Sequence, residues 1–195
     1  NNAGFDLFGG YRSLTGYAGD VPINLLTCAL IICSGLGYLV LLDILQNGFH
    51  FKKYRLQSKI VLVMSACLIV VGTLLLYLSE DISFLAAFFQ SVSARTAGFA
   101  SVDLGTFTPA GILIMCFLMF IGASPGSTGG GVKTTTLFAI LLSIKASATG
   151  GKRQAFKRKI PNEIFSKAFT LIIMGLAVAF ATSLLLALFR SEEHT

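Results

Sequence analysis

Residues 107–148 form a run of 42 mostly apolar residues, interrupted by Gly122-Ala123-Ser124-Pro125-Gly126-Ser127-Thr128-Gly129-Gly130-Gly131. No other feature constrains the fold so tightly. As one helix the run would extend about 63 Å, twice the roughly 30 Å of a bilayer's hydrocarbon core. The interruption forbids that helix. Pro125 removes a ladder hydrogen bond, and each glycine costs about 1 kcal/mol relative to alanine. The pattern predicts two half-helices joined by a non-helical linker. Unpaired backbone at membrane depth survives only where it faces protein or a water-filled cavity. The linker is therefore expected to line a pore or a binding site.

Three more stretches, 21–46, 57–79 and 162–189, are apolar over at least the 20 or so residues a helix needs to cross a membrane. The composition agrees: 54% of residues are hydrophobic and 12% charged, against about a quarter charged in a soluble domain. A disordered chain, a collagen and a disulfide-stapled module are excluded. The net charge of +6 invites a nucleic-acid function, which needs an exposed basic face. Instead, eleven of the fifteen Lys and Arg fall in two segments, Lys52 to Lys59 and Lys145 to Lys167. Seven of the nine acids, among them Asp20, Glu80, Asp81 and Asp103, flank the opposite ends of the apolar runs. That segregation follows the positive-inside rule and places both basic segments in the cytoplasm. Membrane lipid headgroups, not nucleic acid, are their expected partner.

Between the second and third stretches, residues 82–92 are apolar but too short to span, and Ser93 to Phe99 follow with a glycine at position 98. One structure that fits is a re-entrant pore helix whose C-terminal dipole favours cations at the loop. The other is an amphipathic helix on the outer surface. Ala3-Gly4-Phe5 recurs as Ala97-Gly98-Phe99, 94 residues on, and each copy precedes an inward-running stretch broken by glycine, at Gly35-Leu36-Gly37 in the first. Both copies run the same way, as in a parallel repeat of span, pore helix, loop and span. The chain is expected to be a fragment of a longer protein.

Three motifs carry a family resemblance: Asn1-Asn2-Ala3-Gly4-Phe5, Ser91-Val92-Ser93-Ala94-Arg95-Thr96-Ala97-Gly98-Phe99, and the glycine-rich run from Phe120 to Thr134. On these residues the chain resembles the Trk/Ktr/HKT superfamily of potassium transporters, above all the bacterial Ktr-type (NtpJ-like) pore subunit. The resemblance implies an all-α integral membrane fold of parallel span–pore helix–span repeats around a central ion pore, with one broken span. It implies a K+ filter at Asn2, Ala3 and Gly4 in one repeat and at Thr96, Ala97 and Gly98 in the next. It makes Gly122 to Gly131 an intramembrane gate, to which Lys133 is added. Homodimeric pore subunits and a cytosolic nucleotide-binding regulatory ring are the implied partners.

The filter assignment is physically sound. Dehydrated K+ is held by rings of backbone carbonyls, and glycine reaches the positive φ that turns carbonyls toward an axis. Lys133 would pair with linker carbonyls or snorkel to the cytoplasmic edge. Arg95 would bias cation entry or pair with Asp81 or Asp103. Asp43 is expected to cap or face a loop. Cys28, Cys33, Cys67 and Cys116 are expected as small core residues. Gly126 to Thr134 fails the phosphate-loop pattern by one residue, since Val132 separates Gly131 from Lys133. No catalytic constellation is visible, and no cofactor or metal is expected beyond transported K+, with Na+ a candidate coupling or activating ion.

The chain is thus expected to divide into residues 1–47, the filter loop and second span of repeat 2; 48–148, a complete repeat 3; 149–189, a cytoplasmic loop and the first span of repeat 4; and 190–195. The last segment is read as a non-native tail, because Arg190-Ser191-Glu192-Glu193-His194-Thr195 matches the translation of a common sequencing adapter. The expected function is the pore-forming subunit of a potassium uptake system in the bacterial cytoplasmic (inner) membrane. The alternative is a secondary transporter with a discontinuous helix at its substrate site.

Overall fold

The computed structural model describes all residues except 1–3, 7, 8, 11, 49, 151–153, 157 and 191–195. It is largely helical and divides into two compact units, Asn1–Thr135 and Thr136–Thr195.

In the first unit, α1 (Val21–Leu36) starts at Asp20, whose carboxylate accepts from the Ile23 N–H at 3.1 Å, with proline in the first turn. It ends at Gly37, whose φ of +86° no α-helix can continue. Helix α2 (Tyr38–Asn47) leaves at 100° to α1. The stretch 21–46, expected as one span interrupted by glycine, is two helices that break at Gly37, and α1 alone rises about 24 Å, short of a hydrocarbon core. Helix α3 (Leu56–Ser79) is apolar and long enough to cross.

Helix α4 (Phe84–Ser93) is capped by Ser83, whose hydroxyl accepts from the Ala86 N–H at 3.2 Å. It is the most enclosed element, with Phe89, Gln90 and Ser91 fully buried. Two apolar clusters hold it. Cys28 and Ile31 of α1 meet Phe89, Val92 and Ala97 on one side. Leu76 of α3 and Met115 and Leu118 of α5 (Pro109–Phe120) meet Ala87 and Ala94 on the other. A polar clamp joins the ends of α3 and α5: the buried Glu80 carboxylate accepts from the Thr108 N–H at 3.1 Å and the Thr108 hydroxyl at 2.5 Å. Thr108 in turn caps α5 through the Gly111 N–H at 3.2 Å.

The second unit is built on α6 (Thr134–Thr149), a hairpin of β1 (Gln154–Ala155) and β2 (Arg158–Lys159), and α7 (Asn162–Arg190). Two-residue strands leave no alternating pattern, so an all-α expectation had no means of finding them. Helix α7 is long and apolar enough to cross, and its middle exposes Leu176, Val178, Phe180 and Leu186. With α3, and with the bent pair counted once, up to three stretches could cross, by length and composition among the described residues. The run 107–148 is divided between α5 and α6 with no helix across its glycines. Residues 191–195 lie outside the described residues.

Two expectations need correction. Only Cys28 is a core cysteine; Cys33, Cys67 and Cys116 are exposed on apolar helix surfaces, where a small side chain need not be enclosed. Arg95 does not pair with Asp81 or Asp103. It is buried, and its donors go to α3: Nη1 to the Ser65 carbonyl at 3.2 Å and Nη2 to the Ser65 hydroxyl at 3.4 Å. Asp43 does face a loop, as expected. Its Oδ2 accepts from the Arg55 N–H at 3.0 Å and the Ser58 hydroxyl at 2.5 Å, and Arg55 Nε lies 3.6 Å from Oδ1.

Candidate functional site

The loop after α4 is set by that helix's last carbonyls. Ser93 O accepts from the Ala97 N–H at 3.0 Å and the Gly98 N–H at 3.3 Å, while the Ser93 hydroxyl donates to Phe99 O at 2.5 Å. Two bonds to one carbonyl draw the chain into a tight bend. Gly98 takes φ +86° there, and Thr96 takes +83°. Glycine does so freely, but a β-branched residue in that region is a backbone outlier costing of order 1–3 kcal/mol. Such strain persists only where the surroundings impose it.

Gly4, also at positive φ, lies against this bend: a Cβ there would collide with Ala97 O and come within 3.0 Å of Gly98 Cα. The two loops are joined again by Leu14 N–H to Ala100 O at 2.9 Å and Ala100 N–H to Ser13 Oγ at 3.0 Å. Gly4, Thr96, Ala97 and Gly98 are thus brought together, whereas Asn2 and Ala3 lie outside the described residues. A cavity of about 410 Å³ opens beside the bend, lined by Gln90, Thr96, Gly98, Phe99, Met115 and Met119 among others. Neither polar atom of the buried Gln90 amide, nor Thr96 Oγ1, has a hydrogen-bond partner among the described residues.

The glycine-rich linker is a closed loop with its own internal bonds. Ile121 and Val132 bridge in parallel at its neck, Val132 N–H donates to Phe120 O at 3.0 Å, and Ala123 N–H donates to Gly130 O at 3.2 Å. Inside it the Ser127 N–H and hydroxyl both donate to Ser124 O, the hydroxyl at 2.6 Å. The Ser124 hydroxyl pairs with the Thr134 hydroxyl at 3.2 Å. Lys133 Nζ donates to Gly129 O at 2.6 Å, so of its two expected roles it takes the carbonyl. Gly122 and Gly131 press backbone on backbone at the neck, where any side chain would collide. Thr128, Gly126 and Gly130 are exposed, while Ala123 and Ser124 are buried.

This loop lies directly against the bend after α4. A Cβ on Gly129 would meet Thr96 Oγ1, and Ala123 shares a cavity of about 20 Å³ with Arg95 and Ser65. It also reaches the α1–α2 break. Ser124 N–H donates to Gly35 O, and Tyr38 N–H to Gly126 O, both at 3.1 Å. Ser65 and Tyr38 were missed from sequence because each acts through backbone or through a partner distant in the chain. Gly35 and Gly37 were visible as a break, not as a contact.

The chain matches the model of a family described as TrkH, cation transport protein, over residues 1–190. The chain belongs to the TrkH cation transport protein family. It is 38% identical to the Ktr system potassium uptake protein B of Vibrio alginolyticus, over 96% of this chain and 44% of that protein. It is 36% identical to the potassium/sodium uptake protein NtpJ of Enterococcus hirae, over 100% of this chain and 45% of that protein. The crystal structure of the potassium transporter TrkH from Vibrio parahaemolyticus superposes with a TM-score of 0.65 at 21% identity, covering 85% of this chain and 39% of that one. The chain spans less than half the length of the curated relatives it matches. The family is one of transporters, not of enzymes. This chain is mostly helical, shares the fold of that structure over the part matched, and carries apolar helices long enough to cross a membrane.

Proposed function

We propose that the full-length protein is the pore-forming subunit of a bacterial potassium uptake system, passing K+ down its gradient through a carbonyl-lined filter and an intramembrane gate. Asn2, Ala3 and Gly4 form one wall of the filter and Thr96, Ala97 and Gly98 the next. Residues 122–131 with Lys133 form the gate. Helix α4 is the pore helix of a parallel repeat, and its C-terminal carbonyls favour a cation at the bend. The observation that carries this reading is the stack of a strained positive-φ bend upon a glycine-rich loop, with Gly129 set against Thr96. A cation leaving the bend would meet that loop next.

The relatives named for potassium uptake support K+ as the cargo, and the one named for potassium and sodium keeps Na+ as a candidate activating or coupling ion. The rest is proposed from the resemblance: a homodimer of pore subunits in the inner membrane, a cytosolic nucleotide-binding ring docked on the basic segment Lys145 to Lys167, and no bound cofactor in this chain. The test is Gly98→Ser in the full-length gene, in a host lacking its own potassium uptake. Wild type restores growth at low potassium, and the variant loses discrimination of K+ from Na+, because serine at φ +86° reshapes the carbonyl ring. Unchanged discrimination would sink the filter assignment.

A further inference from the structure

The two broken helices meet at their breaks. Ser124 N–H donates to Gly35 O and Tyr38 N–H donates to Gly126 O, each at 3.1 Å, one bond on either side of Gly37. Between them Pro125 O lies so close that a Cβ on Gly37 would approach it to 2.6 Å. Because Gly37 ends α1 at φ +86°, the last carbonyls of α1 and the first N–H of α2 are freed from helical pairing. The linker supplies the missing partners. It is thus satisfied from outside by a break 88 to 89 residues earlier in the chain, as well as by its own bonds. A loop held only by itself would need no such contact.

We infer that the Gly35–Tyr38 break is the latch that holds the glycine-rich linker in its resting place, so that the linker moves only when these two backbone bonds part. Helix α2 then has a second role as the latch's handle. Its first residue donates to the linker, and five residues on Asp43 is tied to Arg55 and Ser58 at the basic loop and the start of α3. A pull on that loop reaches the linker through one short helix, anchored at both ends by hydrogen bonds. The latch rests on the proposal that the linker is a gate, so its test must separate the two.

Gly35 is helical with ordinary φ, and a Cβ built there lies 4.0 Å from the Ala123 Cβ, inside the range a disulfide spans. The full-length protein with its native cysteines replaced and Gly35→Cys plus Ala123→Cys is reconstituted in vesicles, and K+ flux is read before and after oxidation. The expected result is that the disulfide forms, that flux falls to the level of empty vesicles, and that reductant restores it. A disulfide that forms while flux continues overturns the latch, and so does a pair that fails to cross-link. A second variant works in the opposite sense. Tyr38→Pro removes the one N–H that reaches Gly126 at the first position of α2, where proline is tolerated, and Gly37 with ψ 150° suits a following proline. Resting flux should rise about fivefold, the factor one hydrogen bond's net contribution carries. Deleting residues 126–130 tests the gate alone. If the deletion leaves flux and its regulation unaltered, the gate and the latch both fall. If it raises flux while the oxidised pair still conducts, only the latch falls.

Discussion

Arg95 is 8% exposed and sits between the bend and the linker with no carboxylate within ion-pair range among the described residues. A buried guanidinium is costly unless its donors are used, and here two of them reach around the side of α3 to Ser65. Its position one residue before the strained Thr96 makes it the peg that fixes the bend to α3. The peg depends on a planar fork of donors, which lysine lacks. Arg95→Lys in the full-length protein should cost about 1.5–3 kcal/mol, the range for hydrogen bonds to charged groups, and loosen ion discrimination. Thermal unfolding in detergent and competitive K+/Na+ uptake would measure the two effects. Ser65→Ala keeps the carbonyl bond and loses only the longer hydroxyl bond, so its effect should be smaller. An equal or larger loss would show that the Ser65 hydroxyl, not the carbonyl, carries the tie to α3.

Among the elements, α3 is the wall on which α4 and α5 are hung, and Gly72 is where they approach it. A Cβ at that position would lie 2.5 Å from Ser91 Oγ and 3.0 Å from Leu118 Cδ1. Gly72→Leu should therefore force α4 and α5 outward and cost of order 1–3 kcal/mol, seen as an earlier unfolding midpoint. Thr108→Ala should cost about 1 kcal/mol by the same measurement, through loss of the α5 cap. It also removes one of the Glu80 contacts. A midpoint unchanged in either variant would contradict the packing described. Much at this scale was legible in the sequence. Apolar length gave α3 and α7, and proline with five glycines gave the gap between α5 and α6. What escaped was geometry that depends on contact. Gly37 marked a break, but the 100° turn arises because α2 packs Val40 against Val61 of α3 and the linker binds both sides of the break. Glu80 looked like one more flanking acid, since nothing in its neighbourhood names a threonine 28 residues away. At the bend, the motif pointed to Gly98, while the strain at Thr96 and the tie to Ser65 exist only once α4 is docked.

At the scale of the molecule, orientation follows from charge. The loop joining α2 to α3 holds Lys52, Lys53 and Arg55 and is folded on itself: Tyr54 donates its hydroxyl to Gly48 O, and Lys59 Nζ donates to Lys52 O at 2.8 Å while lying 5.8 Å from the Phe51 ring. Glu80 and Asp81 lie at the other end of α3, and in the segment leading into α5 Leu104 is exposed in a turn capped by Asp103 through the Gly105 N–H at 2.8 Å. One helix thus separates a basic end from an acidic one, and the positive-inside rule predicts that the basic end faces the cytoplasm. With native cysteines replaced in the full-length protein, Leu104→Cys should react in intact cells with a membrane-impermeant thiol reagent. Lys53→Cys should react only after the cells are opened. Labelling in the reverse order would invert the path of every helix. It would put the bend after α4 on the cytoplasmic side of the linker, and a filter that faces incoming potassium first could not be built from this chain.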